Sequence, residues 1–249
     1  MVENSAPRGD ARGNQAIHGV RADARTGWVA GWILALLLIG GLLLFVDLPL
    51  AQALQANVSP TVDHIFKWIG KIGDSNNYAW IVLCVYIASL VALRRGWDGA
   101  WVGGYERVTR GALLLMAAWA VGGIVTALLK QTVARARPEM FFEHGFYGLG
   151  VPFQGKPFNS FPSSHGLTAF VLASAIAVVA PRWRWPVYAL AVLVGISRLV
   201  NLDHFASDVA ASALIAITVV HALKPWFLDP MYRWPARLPW QWFGKNARR

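Results

Sequence analysis

Long apolar runs, separated by short charged connections, leave few folds open to this chain. They cover roughly residues 28–46, 78–93, 111–129, 167–180, 186–200 and 209–223. Backbone inside hydrocarbon must satisfy its own N–H and C=O groups, so such runs fold as helices. Each approaches the about 20 residues that cross a bilayer, and flanking residues extend the shorter ones. Composition agrees. Only 14% of the residues are charged and 56% are hydrophobic, whereas a soluble domain carries roughly a quarter charged residues. The expected fold class is all-α: a polytopic membrane protein, a six-transmembrane-helix bundle occupying 27–225 as one domain.

The flanks read differently. Residues 1–26 are polar and lack usable periodicity, as expected of a flexible cytoplasmic tail; 226–249 form a basic tail whose Trp residues suit a membrane interface. The sequence "AQA" at 51–53 resembles a signal cleavage site. The run before it exceeds the roughly 7–15 residues of a signal core, so a membrane helix is expected there. In "VDHIFKWIGKIGD", Val62, Ile65, Phe66, Ile69 and Ile72 share one face. That spacing predicts a short interfacial amphipathic helix, with Asp63, His64, Lys67 and Lys71 solvated. "SNN" at 75–77 reads as the start of the next helix. Gly122 and Gly123 read as close helix packing. The single cysteine, Cys84, excludes an intrachain disulfide and reads as a small buried hydrophobe.

A net charge of +10 raises the possibility of a nucleic-acid partner. The cations punctuate apolar segments instead of forming one soluble basic face, so topology and a lipid bilayer explain them better. With six helices both termini share one side. Of 23 Lys and Arg residues, sixteen fall on that side and seven on the other: Lys67, Lys71, Lys130, Arg135, Arg137, Lys156 and Arg198. The positive-inside rule then puts the termini in the cytoplasm and the 130–166 loop outside, facing the periplasm of a bacterial inner membrane.

Ionisable residues beside hydrocarbon are expensive and usually mark a site. Three groups converge on the outward face: "KQTVARARP" with Lys130 and Arg137, "FPSSHG" with Ser163, Ser164 and His165, and "SRLVNLDHFASD" with Ser197, Arg198, His204 and Asp208. Three cations can neutralise a dianion. "PSSH" opens an apolar helix whose free N–H groups favour an anion. His204 and Asp208 are four apart, on one face if helical, and a carboxylate behind a histidine sets its tautomer. His165 is available as a proton donor. These are the parts of phosphoryl transfer without a metal.

The combination K-x6-RP, P-S-x-H and SR-x5-H-x3-D, over 130–208, resembles the signature of the type 2 phosphatidic acid phosphatase superfamily, which includes glucose-6-phosphatase and the vanadium haloperoxidases. The resemblance implies a membrane lipid phosphatase that hydrolyses a phosphomonoester or diphosphate through a phosphohistidine. His204 would be the nucleophile, Asp208 its orienting carboxylate and His165 the acid. Lys130, Arg137, Arg198, Ser163 and the backbone of Ser164 would hold phosphate. The family usually has glycine where Ser164 stands, which leaves the roles at 163–164 open. No metal or other cofactor is implied, and the oligomeric state is not specified. Phosphatidic acid, phosphatidylglycerol phosphate, undecaprenyl diphosphate and lipid A are candidate substrates. A lipid phosphotransferase would use the same motifs, and a non-catalytic lipid-binding or transport protein is the alternative of another class. Arg135 reads as a surface or headgroup contact, Asp203 as a local hydrogen-bonding residue, and His144 as a bystander in the loop.

Overall fold

The computed structural model describes residues 11–95 and 102–229. Its order is α1 (Ala11–Gly41), a π turn (Leu42–Val46), α2 (Asp47–Asn57), α3 (Pro60–Lys71), α4 (Ser75–Arg95), α5 (Val102–Val133), α6 (Pro138–His144), α7 (Ser164–Val179), α8 (Arg184–Val200) and α9 (Ala206–Leu228). Among the described residues, strand-like pairing is confined to an isolated bridge between Arg135 and Leu149.

Four stretches are long and apolar enough to cross a membrane: Thr26–Asn57, Pro60–Leu93, Gly104–Val133 and Ala206–Leu228. The remaining two expected spans are α7 and α8, which are shorter, at 16 and 17 residues. Helical backbone begins at Ala11, inside the stretch expected as a tail, and runs on through the "AQA" residues. The C-terminal tail beyond Asp229 lies outside the described residues.

α7 is the hub. It packs against α5, α8 and α9, and Leu167, Ala169, Phe170, Val171, Ala173 and Ala175 are all buried. Its small residues let neighbouring helices approach closely. Leu114, Ala118, Val194, Ala216 and Val220 complete the core. The outer helices show hydrocarbon-compatible faces instead: Leu34, Leu37, Phe45, Trp80 and Ile81 are exposed. Cys84 is also exposed, on the periphery of α4. The expectation of a buried thiol fails because an apolar residue in a membrane bundle is as well placed against lipid as in the core.

The predicted amphipathic helix is α3. Ser59 caps it by accepting from Val62 N at 3.4 Å, with Pro60 at the first position. Val62, Ile65 and Trp68 are exposed. Its charged face is less free than expected. Asn201 Nδ2 donates to Asp63 Oδ1 and to the Asp63 carbonyl, at 2.7 and 2.9 Å, tying α3 to the end of α8. Its C-terminal glycine makes that approach possible: a Cβ on Gly70 would lie 2.5 Å from Arg198 Nη1. "SNN" does open α4, with Asp74 Oδ1 accepting from Asn76 N at 3.0 Å. Gly122 packs closely, its missing Cβ facing Leu167 at 3.3 Å, while Gly123 faces open space.

Candidate active site

The chain turns sharply between α8 and α9. The N–H groups of Asp203 and His204 donate to Arg198 O at 3.0 and 3.2 Å, and Leu202 takes a left-handed φ of 53°. The turn carries His204 inward, to 5% exposure, and Asp208 to full burial in the first turn of α9. There Asp208 Oδ2 accepts from Phe205 N at 2.9 Å. His204 Nδ1 lies 3.7 Å from Asp208 Oδ2, longer than a hydrogen bond. The Ser160 hydroxyl bridges the gap, donating to Asp208 Oδ2 at 2.6 Å and lying 3.4 Å from His204 Nδ1.

Burial pushes the His204 imidazole down to about 4; Asp208 opposes this, and nearby Lys130 and Arg137 reinforce it. The ring is therefore neutral across the ordinary pH range. The sign follows from the depressed value: the unfolded histidine takes up a proton near 6.5 and the folded one only near 4. Stability relative to the unfolded chain thus falls as pH drops through that window. With 13C-labelled histidine, the signal that disappears in His204→Gln should titrate near pH 4; a midpoint at 6.5 would contradict this environment.

Arg135 is the principal correction to the sequence reading. It is 4% exposed rather than at the surface. Its Nη1 donates to Asp208 Oδ1 at 2.6 Å and to Ser207 Oγ at 2.7 Å, and its Nη2 to Asp47 Oδ2 at 2.8 Å and the Tyr147 hydroxyl at 3.1 Å. The guanidinium lies 4.4 Å from the Phe205 ring centroid. Although burial alone would lower its pKa, Asp208 and Asp47 raise it, so the group stays charged. Asp47 itself is buried directly after the π turn; its Oδ1 accepts from Ser207 N at 2.9 Å, and its Oδ2 also accepts from the Ser207 hydroxyl. An aspartate on α2 therefore caps α9 from a distance. Within the π turn, Leu43 O accepts from the Tyr147 hydroxyl at 3.1 Å.

The expected phosphate ligands gather around this core. Lys130, on the last turn of α5, donates from Nζ to Asn159 O at 2.6 Å, and Arg137 donates from Nε to Asn159 Oδ1 at 2.8 Å. Asn159 thus holds two cations side by side. Arg198 pairs with Asp203, as a local role for Asp203 predicts, and its buried Nε has no partner among the described residues. Arg198, Arg137, Asp203 and Asp74 all act electrostatically on His165.

Ser163 caps α7, its hydroxyl accepting from Gly166 N at 3.2 Å. It is fully buried. Ser163 N donates to Asp208 O at 3.3 Å, and Ser212 Oγ donates to Ser163 O at 2.8 Å. The starts of α7 and α9 are therefore locked together, with His165 and His204 near the same end. Ser164 is the first residue of α7 and exposed. A cavity of ≈ 230 Å³ opens beside it, lined by Lys130, Ser164, Leu167, Thr126 and Trp119.

This arrangement can be compared with known proteins. The sequence profile of the PAP2 superfamily matches residues 111–232. This chain carries a PAP2-superfamily domain. Over 113 residues it is 34% identical to a protein named lipid A 1-phosphatase from Rhizobium etli, covering 45% of this chain and 44% of that one. A lipid A 1-phosphatase from Rhizobium johnstonii is 38% identical over 90 residues, 36% of each chain. The chain thus matches less than half the length of these curated relatives. The fold is that of solved PAP2 proteins. A transmembrane PAP2-type phosphatidylglycerolphosphate phosphatase from Bacillus subtilis superposes with a TM-score of 0.57 at 20% identity, over 79% of this chain and 93% of that one. LpxE from Aquifex aeolicus gives 0.52 at 19% identity, over 71% and 93%.

Asp47 lies outside the PAP2 segment, and no motif marks it; a lone acid following an apolar run was its only visible signal. Ser160 and Asn159 precede "FPSSHG" directly, inside a loop rich in Gly, Pro and Phe where nothing in the spacing marks them.

Proposed function

We propose that this PAP2 protein is a membrane lipid phosphatase that works through a phosphohistidine. The supporting observation is the buried His204–Ser160–Asp208 unit, with Lys130 and Arg137 acting on His204 and Arg198 on His165 at the start of α7. Lys130, Arg137 and Arg198 hold the phosphate oxygens, with the first N–H groups of α7 beside them. Asp208 and Ser160 orient the Nδ1 side of His204, leaving Nε2 to attack phosphorus. As the N–P bond forms, the P–O bond to the lipid breaks, and His165 gives the departing oxygen its proton. Water then attacks the phosphohistidine, His165 takes a proton from it, and phosphate leaves with His204 restored. For Arg198 to reach phosphate, its pairing with Asp203 must yield or be shared.

The proposed substrate is a phosphorylated lipid, and the Rhizobium relatives make lipid A 1-phosphate the first to assay. The charge asymmetry of the sequence supports a site on the periplasmic side of a bacterial inner membrane. Lys130, Arg137 and Arg198 would carry the charge that balances the phosphate, so the reaction is proposed to need no metal. Right-side-out vesicles should release phosphate from added lipid A, phosphatidylglycerol phosphate, phosphatidic acid or undecaprenyl diphosphate, with EDTA present and with vanadate inhibiting. Activity lost to EDTA and restored by magnesium would reject the mechanism, activity confined to inverted vesicles the orientation, and phosphate reaching only a second lipid the hydrolysis.

A further inference from the structure

At the end of the bundle away from His204 lies a second cavity, ≈ 670 Å³, bounded by α5, α7 and α9. Its polar lining is Arg107, Arg110, Lys224 and Glu106. Glu106 pairs with Arg110 at 2.6 Å, and Arg110 Nη1 also donates to Phe227 O at 3.4 Å. Arg110 Nε is buried without a partner among the described residues. Arg107 and Lys224 are exposed and form no ion pair among those residues. The cavity therefore carries an excess of positive charge.

Val179 lines this cavity and also a neighbouring one of ≈ 290 Å³ between α4, α5 and α7, whose walls include Val85, Val108 and Leu115 and are almost wholly apolar. Gly111 lets α5 approach α7 closely where the two cavities meet, since a Cβ there would lie 2.7 Å from Val179 Cγ2. Arg110 and Lys130 are separated by about 30 Å of α5, the thickness of a hydrocarbon core. A basic pocket at one membrane surface, sharing Val179 with an apolar slot inside the bilayer, matches the two halves of one molecule.

We propose that this end of the bundle binds an anionic phospholipid from the leaflet opposite the catalytic cluster, its phosphodiester headgroup against Arg107 and Lys224 and one acyl chain in the slot. The site is separate from the proposed reaction and does not depend on it. The test is native mass spectrometry of the full chain released from micelles, with phosphatidylglycerol or phosphatidylcholine added. Phosphatidylglycerol should be retained at about one per chain and phosphatidylcholine should not. The double variant Arg107→Gln/Lys224→Gln should lose retention by at least about tenfold, Arg107→Lys should keep it, and Val108→Trp, which fills the slot, should weaken it while the charges remain. Inorganic phosphate should not compete, because it lacks the chain. Equal retention of both lipids, unchanged retention by the folded double variant, or displacement by phosphate would each overturn the proposal.

Discussion

Replacing His204 with alanine should abolish lipid dephosphorylation, by a factor on the order of 10⁴–10⁶, while the protein stays folded and still binds vanadate through Lys130, Arg137 and Arg198. The reason is chemical: the nitrogen proposed to attack disappears, and no other imidazole lies in contact with Asp208 to replace it among the described residues. Asp208→Asn should lose on the order of 10²–10⁴, because an amide in that place can present the wrong atom to Nδ1 and weakens the hold of Arg135. The His165 variant separates the steps. His165→Ala should still accumulate phosphoenzyme from p-nitrophenyl phosphate, whose leaving group needs little protonation, and should fail with lipid. Acid-labile label appearing in His204→Ala at the wild-type level, or wild-type turnover by that variant, would remove His204 from the role.

Arg135→Gln should be the most damaging change at a residue that touches neither substrate nor the reacting nitrogen. It leaves the carboxylates of Asp47 and Asp208 buried together without their shared cation. Breaking a buried ion pair from one side costs about 3–5 kcal/mol. A folded fraction should show a kcat reduced on the order of 10²-fold with KM little changed, since the phosphate ligands are untouched and only the orientation of Asp208 is lost. Arg135→Lys should restore part of the stability but less of kcat, because an ammonium cannot reach Asp47, Ser207, Tyr147 and Asp208 from one planar fork. Asp47→Asn combined with Arg135→Gln should be less destabilised than Arg135→Gln alone, because the orphaned charge is removed with its partner. Wild-type kcat in purified, folded Arg135→Gln would show the network to be purely structural.

Helix class and membrane character were legible because hydrocarbon imposes one backbone solution on long apolar runs, and α3 because its period of apolar residues is short-range information. The reach of each helix was less so: α7 and α8 are short, and the first helix neither starts nor stops where its apolar run does. The groups proposed for catalysis were legible for another reason. Phosphoryl chemistry requires particular residue types, and those types are rare beside apolar runs, so Lys130, Arg137, His165, Arg198, His204 and Asp208 stand out in order along the chain. Spacing said nothing of what holds them. Arg135 looks like any cation in a basic loop, Asp47 like a boundary acid, and Ser160 and Asn159 like loop polarity. Their places depend on α2 passing the start of α9 and on the 135–160 loop folding back between α5 and α7. A hydrogen bond between residues 88 or 160 positions apart leaves no periodic trace in sequence. Only packing decides which buried carboxylate meets which cation, because the burial that makes such a pair obligatory is itself a product of the tertiary fold.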